Sequence, residues 1–186
     1  MWVPLVLVAA VVLLPIIYVV LTYNTLVALR NHIRDAWGNI DTELKRRYDL
    51  IPNLVATVKG YAAHEKEVFE RVTELRAQAM ASQGAPQQQA VNENLLVAAL
   101  QRLLAIVENY PQLKADQHFL ELQRELVNTE DRIQAARRFF NGNVRDYRNK
   151  CETFPSSLIA GAFGFESHDY FNVEPSVREV PAADFG

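Results

Sequence analysis

An all-α fold, an N-terminal transmembrane helix followed by an elongated antiparallel helical bundle, is what this sequence predicts, on three observations. Trp2 to Leu21 is an uncharged run in which fourteen of twenty residues are Val, Leu or Ile. Beyond it, apolar residues recur at steps of three and four, the spacing of one helix face. With 49% apolar residues and seven glycines, the rest of the chain reads as globular and helical rather than disordered or β-rich.

The anchor comes first. Twenty residues at a rise of about 1.5 Å each span about 30 Å, the hydrocarbon thickness of a bilayer. A cleaved secretion signal would open with Lys or Arg and end in a small-x-small site. Here no Lys or Arg precedes the run and Thr22-Tyr23-Asn24 follows it, so residues 1–23 are expected to stay as a single span. Tyr18 and Tyr23 sit where amphipathic rings prefer the headgroup layer. Arg30 and Arg34, then Lys45, Arg46 and Arg47, lie on the C-terminal side. The positive-inside rule therefore places the body in the cytoplasm. The single cysteine, Cys151, makes no intramolecular disulfide and fits either side.

Residues 24–153 are expected to form the bundle from four amphipathic segments. The first leaves the anchor with Leu26, Leu29, Ile33, Trp37, Ile40, Leu44, Tyr48 and Ile51 on one face. Pro52 lacks a backbone donor and disfavours helix at Ile51, which predicts a kink or short break. A second segment carries Val58, Tyr61, Phe69, Val72 and Leu75 and ends before Ser82-Gln83-Gly84-Ala85-Pro86-Gln87-Gln88-Gln89, read as a loop. A third carries Leu96, Leu100, Leu103, Val107 and Tyr110 and stops near Pro111. The fourth runs from Phe119 through Leu122, Leu126, Thr129, Ile133, Ala136, Phe140, Val144 and Tyr147 to Cys151, a near-heptad pattern. Residues 154–173 begin with an uncharged, apolar stretch to Phe165 that is too short to cross a bilayer. It is expected to pack on the bundle, with the membrane surface or a partner as alternatives. Residues 174–186, with two prolines, read as an extended or flexible tail.

Catalytic chemistry is hard to find in this sequence. None of His32, His64, His118 and His168 has Glu three residues before it, so the Glu-x-x-His pairs of a di-iron bundle are missing. His64-Glu65 is followed at position 68 by Val where a zinc-protease helix needs His. No serine stands in Gly-x-Ser-x-Gly, and Cys151 falls on an apolar stripe, as a small buried hydrophobe does. No cofactor is therefore expected. A net charge of −3 gives no general attraction to nucleic acid, and Lys45-Arg46-Arg47 is read as a solvated helix face. Glu65 occupies a stripe position between Tyr61 and Phe69. A carboxylate buried there needs a partner, with Lys59, Arg132, Arg137 and Arg138 as candidates, and a register-setting ion pair is the expected arrangement.

These residues resemble a family. Leu44-Lys45-Arg46-Arg47-Tyr48-Asp49-Leu50-Ile51-Pro52-Asn53-Leu54-Val55 is similar to the signature block of LemA family proteins. Tyr23-Asn24-Thr25-Leu26-Val27, Ala36-Trp37, Thr57-Val58-Lys59-Gly60-Tyr61-Ala62 and His64-Glu65 fit the same pattern. So do Ala135-Ala136-Arg137-Arg138-Phe139-Phe140-Asn141, Phe154-Pro155-Ser156 and Phe163-Gly164-Phe165. The resemblance covers roughly residues 20 to 173 and implies an N-terminal anchor, a helical bundle and a body in the bacterial cytoplasm. It implies no enzymatic reaction and assigns no catalytic residue. A relative in magnetosome-forming bacteria, associated with building an intracellular membrane compartment, suggests an organising role.

The expected function is a non-enzymatic, membrane-anchored scaffold or adaptor working with a protein partner or as a homo-oligomer. Tyr48, Asp49, Asn53, His64 and Phe163 are its candidate contact residues. Pro52, Lys59, Tyr61, Glu65 and Arg137 are added as contact or register-setting candidates. The alternative is a ligand- or lipid-binding sensor that uses the polar residues on the stripe, Glu65 and His64 above all.

Overall fold

The computed structural model describes residues 2–82 and 86–171, residues 5–8 by backbone only. It is all-α, with no strand among the described residues. The six helices among the described residues are α1 (Val3–Tyr61), α2 (Lys66–Ala81), α3 (Pro86–Val107), α4 (Pro111–Lys114), α5 (Gln117–Glu152) and α6 (Ser156–Ala162). The described chain divides into two compact units, one of residues up to Arg47 with Leu126–Tyr170, the other of Tyr48–Glu125 with Phe171.

In the first unit, α1 between Val11 and Leu21 is largely uncovered by protein. Val11 to Ile17, Val20 and Leu21 are exposed, most by half or more of their surface. Burial starts at Thr22, 3% exposed, and continues with Leu26, Ile33, Ala36, Ile40 and Leu44. A row of exposed Val, Leu and Ile side chains is unfavourable in water by a kcal/mol or more apiece, on the order of 1.5–3 for full burial, and hydrocarbon removes that cost. The packed part of α1 lies against α5, whose Leu126, Ile133, Phe140, Val144 and Tyr147 are buried at the predicted spacing. Arg47 reaches Glu130, Glu43 reaches Arg132, and the Trp37 ring lies 5.4 Å from that of Phe140. Partner numbers rise along α5 as they fall along α1, so the two helices run antiparallel.

At the end of α5 the chain passes a cis Phe154–Pro155 bond into α6. That helix stops in a left-handed turn: Gly164 has φ +67°, Phe165 N–H donates to the Ala160 carbonyl at 2.9 Å, and Gly164 N–H to the Gly161 carbonyl at 3.4 Å. This is the Schellman arrangement, in which a residue without Cβ meets no steric penalty at the reversed backbone. It sets Phe165 against Tyr23, ring centroids 5.5 Å apart, and beneath the Arg30 guanidinium.

The second unit contains the end of α1, then α2, α3, α4 and the start of α5, with α2 packed on α3 and α3 on α4. Its core is Ile51, Leu54 and Val58 of α1, Phe69, Val72 and Leu75 of α2, Leu96, Leu100 and Leu103 of α3, with Leu113 and Phe119. Asp116 caps α5, its Oδ1 accepting the Phe119 N–H at 2.9 Å.

Three expectations about helix ends need correction. α1 continues through Pro52 to Tyr61 without a break, helped by Arg76, whose Nε donates to the Tyr48 carbonyl. The break falls instead at Ala62–Glu65. Ending the helix there removes Glu65 from the stripe, which is less costly than burying an unpaired carboxylate among apolar side chains. The Gln-rich segment is not all loop, since α3 starts at Pro86 and Gln89 is buried. Pro at a first helical position gives up a donor that would be unpaired anyway, so Pro86 starts a helix as readily as it marks a turn. The tail expected over residues 174–186 lies outside the described residues.

Candidate functional site

Each unit buries polar side chains of its own, Arg47 and Arg137 in the first and Gln89 and Glu93 in the second. In the first unit Arg47 is 1% exposed and its Nη1 donates to Glu130 Oε2 at 2.7 Å. Lys45-Arg46-Arg47 is thus not one solvated face: Lys45 and Arg46 are exposed, while the step of three from Leu44 carries Arg47 inward. Gln134 Nε2 holds the other oxygen of Glu130 at 3.0 Å. Arg137, two turns further along α5 from Glu130, is also buried, at 8%.

In the second unit Tyr48, Gln89 and Glu93 form a hydrogen-bonded cluster, all three buried. The Tyr48 hydroxyl donates to Glu93 Oε1. Gln89 Nε2 donates to the same carboxylate at 3.1 Å and lies 3.3 Å from the Tyr48 oxygen. Buried polar atoms need such partners, because one left unpaired costs about 1–3 kcal/mol.

The backbone above the cluster explains Pro52. Proline at 52 has no N–H to give the carbonyl four residues earlier, that of Tyr48. Arg76 of α2 supplies the missing donor: its Nε reaches the Tyr48 oxygen at 2.7 Å. The helix therefore passes Pro52 with that carbonyl satisfied, and the same bond ties α2 to α1. The Tyr-Asp-Leu-Ile-Pro block thus joins α1 to α3 through a side chain and to α2 through a carbonyl.

The remaining predicted residues are scattered. Asp49, Pro52, Asn53, Lys59 and His64 are exposed. Glu65 is half-buried at the start of α2, where its side chain caps nothing. It is not the buried stripe carboxylate the spacing suggested, and Arg132, one of its expected partners, approaches Glu43 instead at 4.0 Å. Tyr61 is 42% exposed, not in the core, and its hydroxyl donates to Asp116 Oδ2 at 2.9 Å. That bond pushes the Tyr61 hydroxyl pKa up, and the Phe119 amide, with Tyr61 second, draws the Asp116 carboxyl below its ordinary value. Phe163 is 56% exposed, one edge against Tyr23 at 5.0 Å. Cys151 is half-buried beside Tyr147, and burial pushes its thiol up, away from the thiolate a nucleophile needs.

Gln89, Glu93, Arg76 and Arg47 were not singled out by sequence reasoning. A signal for two of them was present. Stepping back from Leu96 by three and then four lands on Glu93 and Gln89, the positions that extend the α3 stripe. Assigning Gln89 to a loop hid it.

No group of three His, Cys, Asp or Glu able to hold a metal occurs among the described residues. A surface groove of about 380 Å³ lies between α2 and α3, lined mostly by charged side chains such as Glu67, Glu70, Arg71 and Arg102. The Tyr48 cluster takes no part in it. Its hydrogen bonds join α1 to α3.

Fold and interior together define a helical protein with an N-terminal helix long and apolar enough to span a membrane. A second helix, α3, meets the same test of length and composition but packs on α2 and carries buried Gln89 and Glu93, as a core helix does. The chain belongs to the LemA family, whose pattern matches residues 36–185. It is similar to Magnetosome protein MamQ of Magnetospirillum gryphiswaldense, 27% identical over 179 residues that cover 83% of this chain and 66% of the relative. Magnetosome protein MamQ 2 of Paramagnetospirillum magneticum matches with the same identity and coverage. Protein LemA of Metamycoplasma hominis is 25% identical over 81% of this chain and 66% of its own length. The chain thus spans just under two thirds of the length of these relatives.

Proposed function

We propose that the protein is a non-enzymatic, membrane-anchored helical scaffold of the bacterial inner membrane, its body in the cytoplasm. The observation that carries this reading is the switch along α1 at Thr22, from apolar side chains largely uncovered by protein to a packed stripe. One uninterrupted helix thereby joins a lipid-compatible segment to the folded units. The bonds from Arg47 to Glu130 and from Tyr48 to Glu93, each joining two helices, support the same reading. Likeness to proteins named for the magnetosome, a membrane-bounded body, agrees with work at a membrane. Exposed residues of the signature block, Asp49 and Asn53, are the surface on which a protein partner or a second copy is recognised.

Crosslinking in native membranes followed by mass spectrometry tests this function. Reproducible crosslinks from the Asp49–Asn53 surface to a neighbour or a second copy are expected. A chain that stays monomeric without neighbours contradicts it.

A further inference from the structure

We propose that α6, with Phe154 before it and Phe163 after it, is a second membrane contact that lies in the lipid interface beside the anchor. This rests on the reading of α1 as an anchor and adds a second point of attachment to it.

The helix is two-faced. Ser156, Ile159 and Ala160 are buried against the first unit. Phe154, Leu158 and Phe163 are 75%, 65% and 56% exposed. They belong to a stretch, residues 153–165, without a charge. Three large apolar side chains so close together on a surface call for an apolar neighbour.

Position within the unit identifies that neighbour. Phe163 and Phe165 both touch Tyr23, just past the end of the apolar run. Phe154 and Ser156 share a groove with Tyr18, one helical turn before that end. The exposed side chains of α6 are thus continuous with the exposed apolar surface of α1, at the level of two tyrosines suited to the headgroup layer. A short apolar helix at that depth buries its outer face in the boundary between headgroups and acyl chains. Charge contributes little: Lys150 and Asp146 line the same groove, so anionic lipid is not required.

Site-directed spin labelling of the full chain in phosphatidylethanolamine–phosphatidylglycerol vesicles tests this. Labels go on Leu158→Cys, Val12→Cys and Lys45→Cys, each in a Cys151→Ser background. Accessibility to oxygen against a water-soluble nickel chelate gives depth. The Leu158 label should lie between the Val12 label in hydrocarbon and the Lys45 label in water, and should stay there when phosphatidylcholine replaces phosphatidylglycerol. A Leu158 label as open to the chelate as Lys45, with Val12 still deep, overturns the second contact and leaves the anchor standing. A Val12 label in water removes both. Spin–spin broadening at Leu158 that unlabelled protein dilutes away shows a second copy covering this face and also overturns the proposal.

Discussion

Arg47 and Tyr48 are adjacent in sequence and both buried, yet they use different chemistry in different units. Arg47 brings a full charge inside and meets a carboxylate, that of Glu130, which remains about one-third exposed. Tyr48 brings a neutral hydroxyl to the carboxylate of Glu93, which is itself buried and shared with Gln89. The first arrangement is a strong bond with one foot in solvent. The second is a buried hydrogen-bonded group in which one carboxylate is shared by two donors. Comparing them separates fastening by charge from fastening by hydrogen bonds, and mutation should tell the two apart.

The largest effect is expected for Arg47→Ala. It removes a charge-assisted bond and the packed stem of the side chain. Loss of one member of a buried pair costs about 3–5 kcal/mol, and the partial exposure of Glu130 places this case near about 3. Urea unfolding of the full chain in micelles, followed by circular dichroism, measures it; a loss below about 1 kcal/mol would show that Arg47 is no fastener. Tyr48→Phe keeps the ring and deletes one donor, leaving Glu93 short of a partner, at a cost of about 2 kcal/mol in the same assay. Arg76→Met should cost about 1.5 kcal/mol, because it strands the Tyr48 carbonyl. In Pro52→Ala that carbonyl regains a backbone donor, so Arg76→Met made there should cost clearly less. Equal costs in the two backgrounds would separate Arg76 from Pro52.

The smallest effect is that of pH on the Tyr61–Asp116 contact. Asp116 has a lowered pKa in the folded chain, so its contribution is complete above its ordinary value and is lost as pH falls through the lowered one. A small loss of stability confined to acid below the ordinary carboxylate range is expected, absent in Asp116→Asn. Tyr61 is exposed and Asp116 only half-buried, so the loss should be well under that of the buried clusters.

Spacing was enough to place most of the helices. The stripes of α5 and of α1 from Leu26 to Ile51 were legible because burial on one helix face imposes steps of three and four. What escaped was chemistry supplied from another helix. Pro52 reads as a breaker in one dimension, and only the fold brings Arg76 to its orphaned carbonyl. Glu65 reads as buried on a helix assumed to be continuous, and the turn at Ala62–Glu65 removes the premise. Glu93 lay on a legible stripe and was passed over because the glutamines before it suggested a loop. Sequence thus marked Tyr48 and Arg137 as candidates but not what Tyr48 meets.

Native mass spectrometry of the full chain, wild type beside Tyr48→Phe, tests most directly whether the buried polar cluster fastens helices or holds a ligand. The fastening account predicts polypeptide mass with lipid as the only adduct in both proteins, and a stability difference alone. A small-molecule or metal adduct on the wild type that disappears in Tyr48→Phe would contradict it.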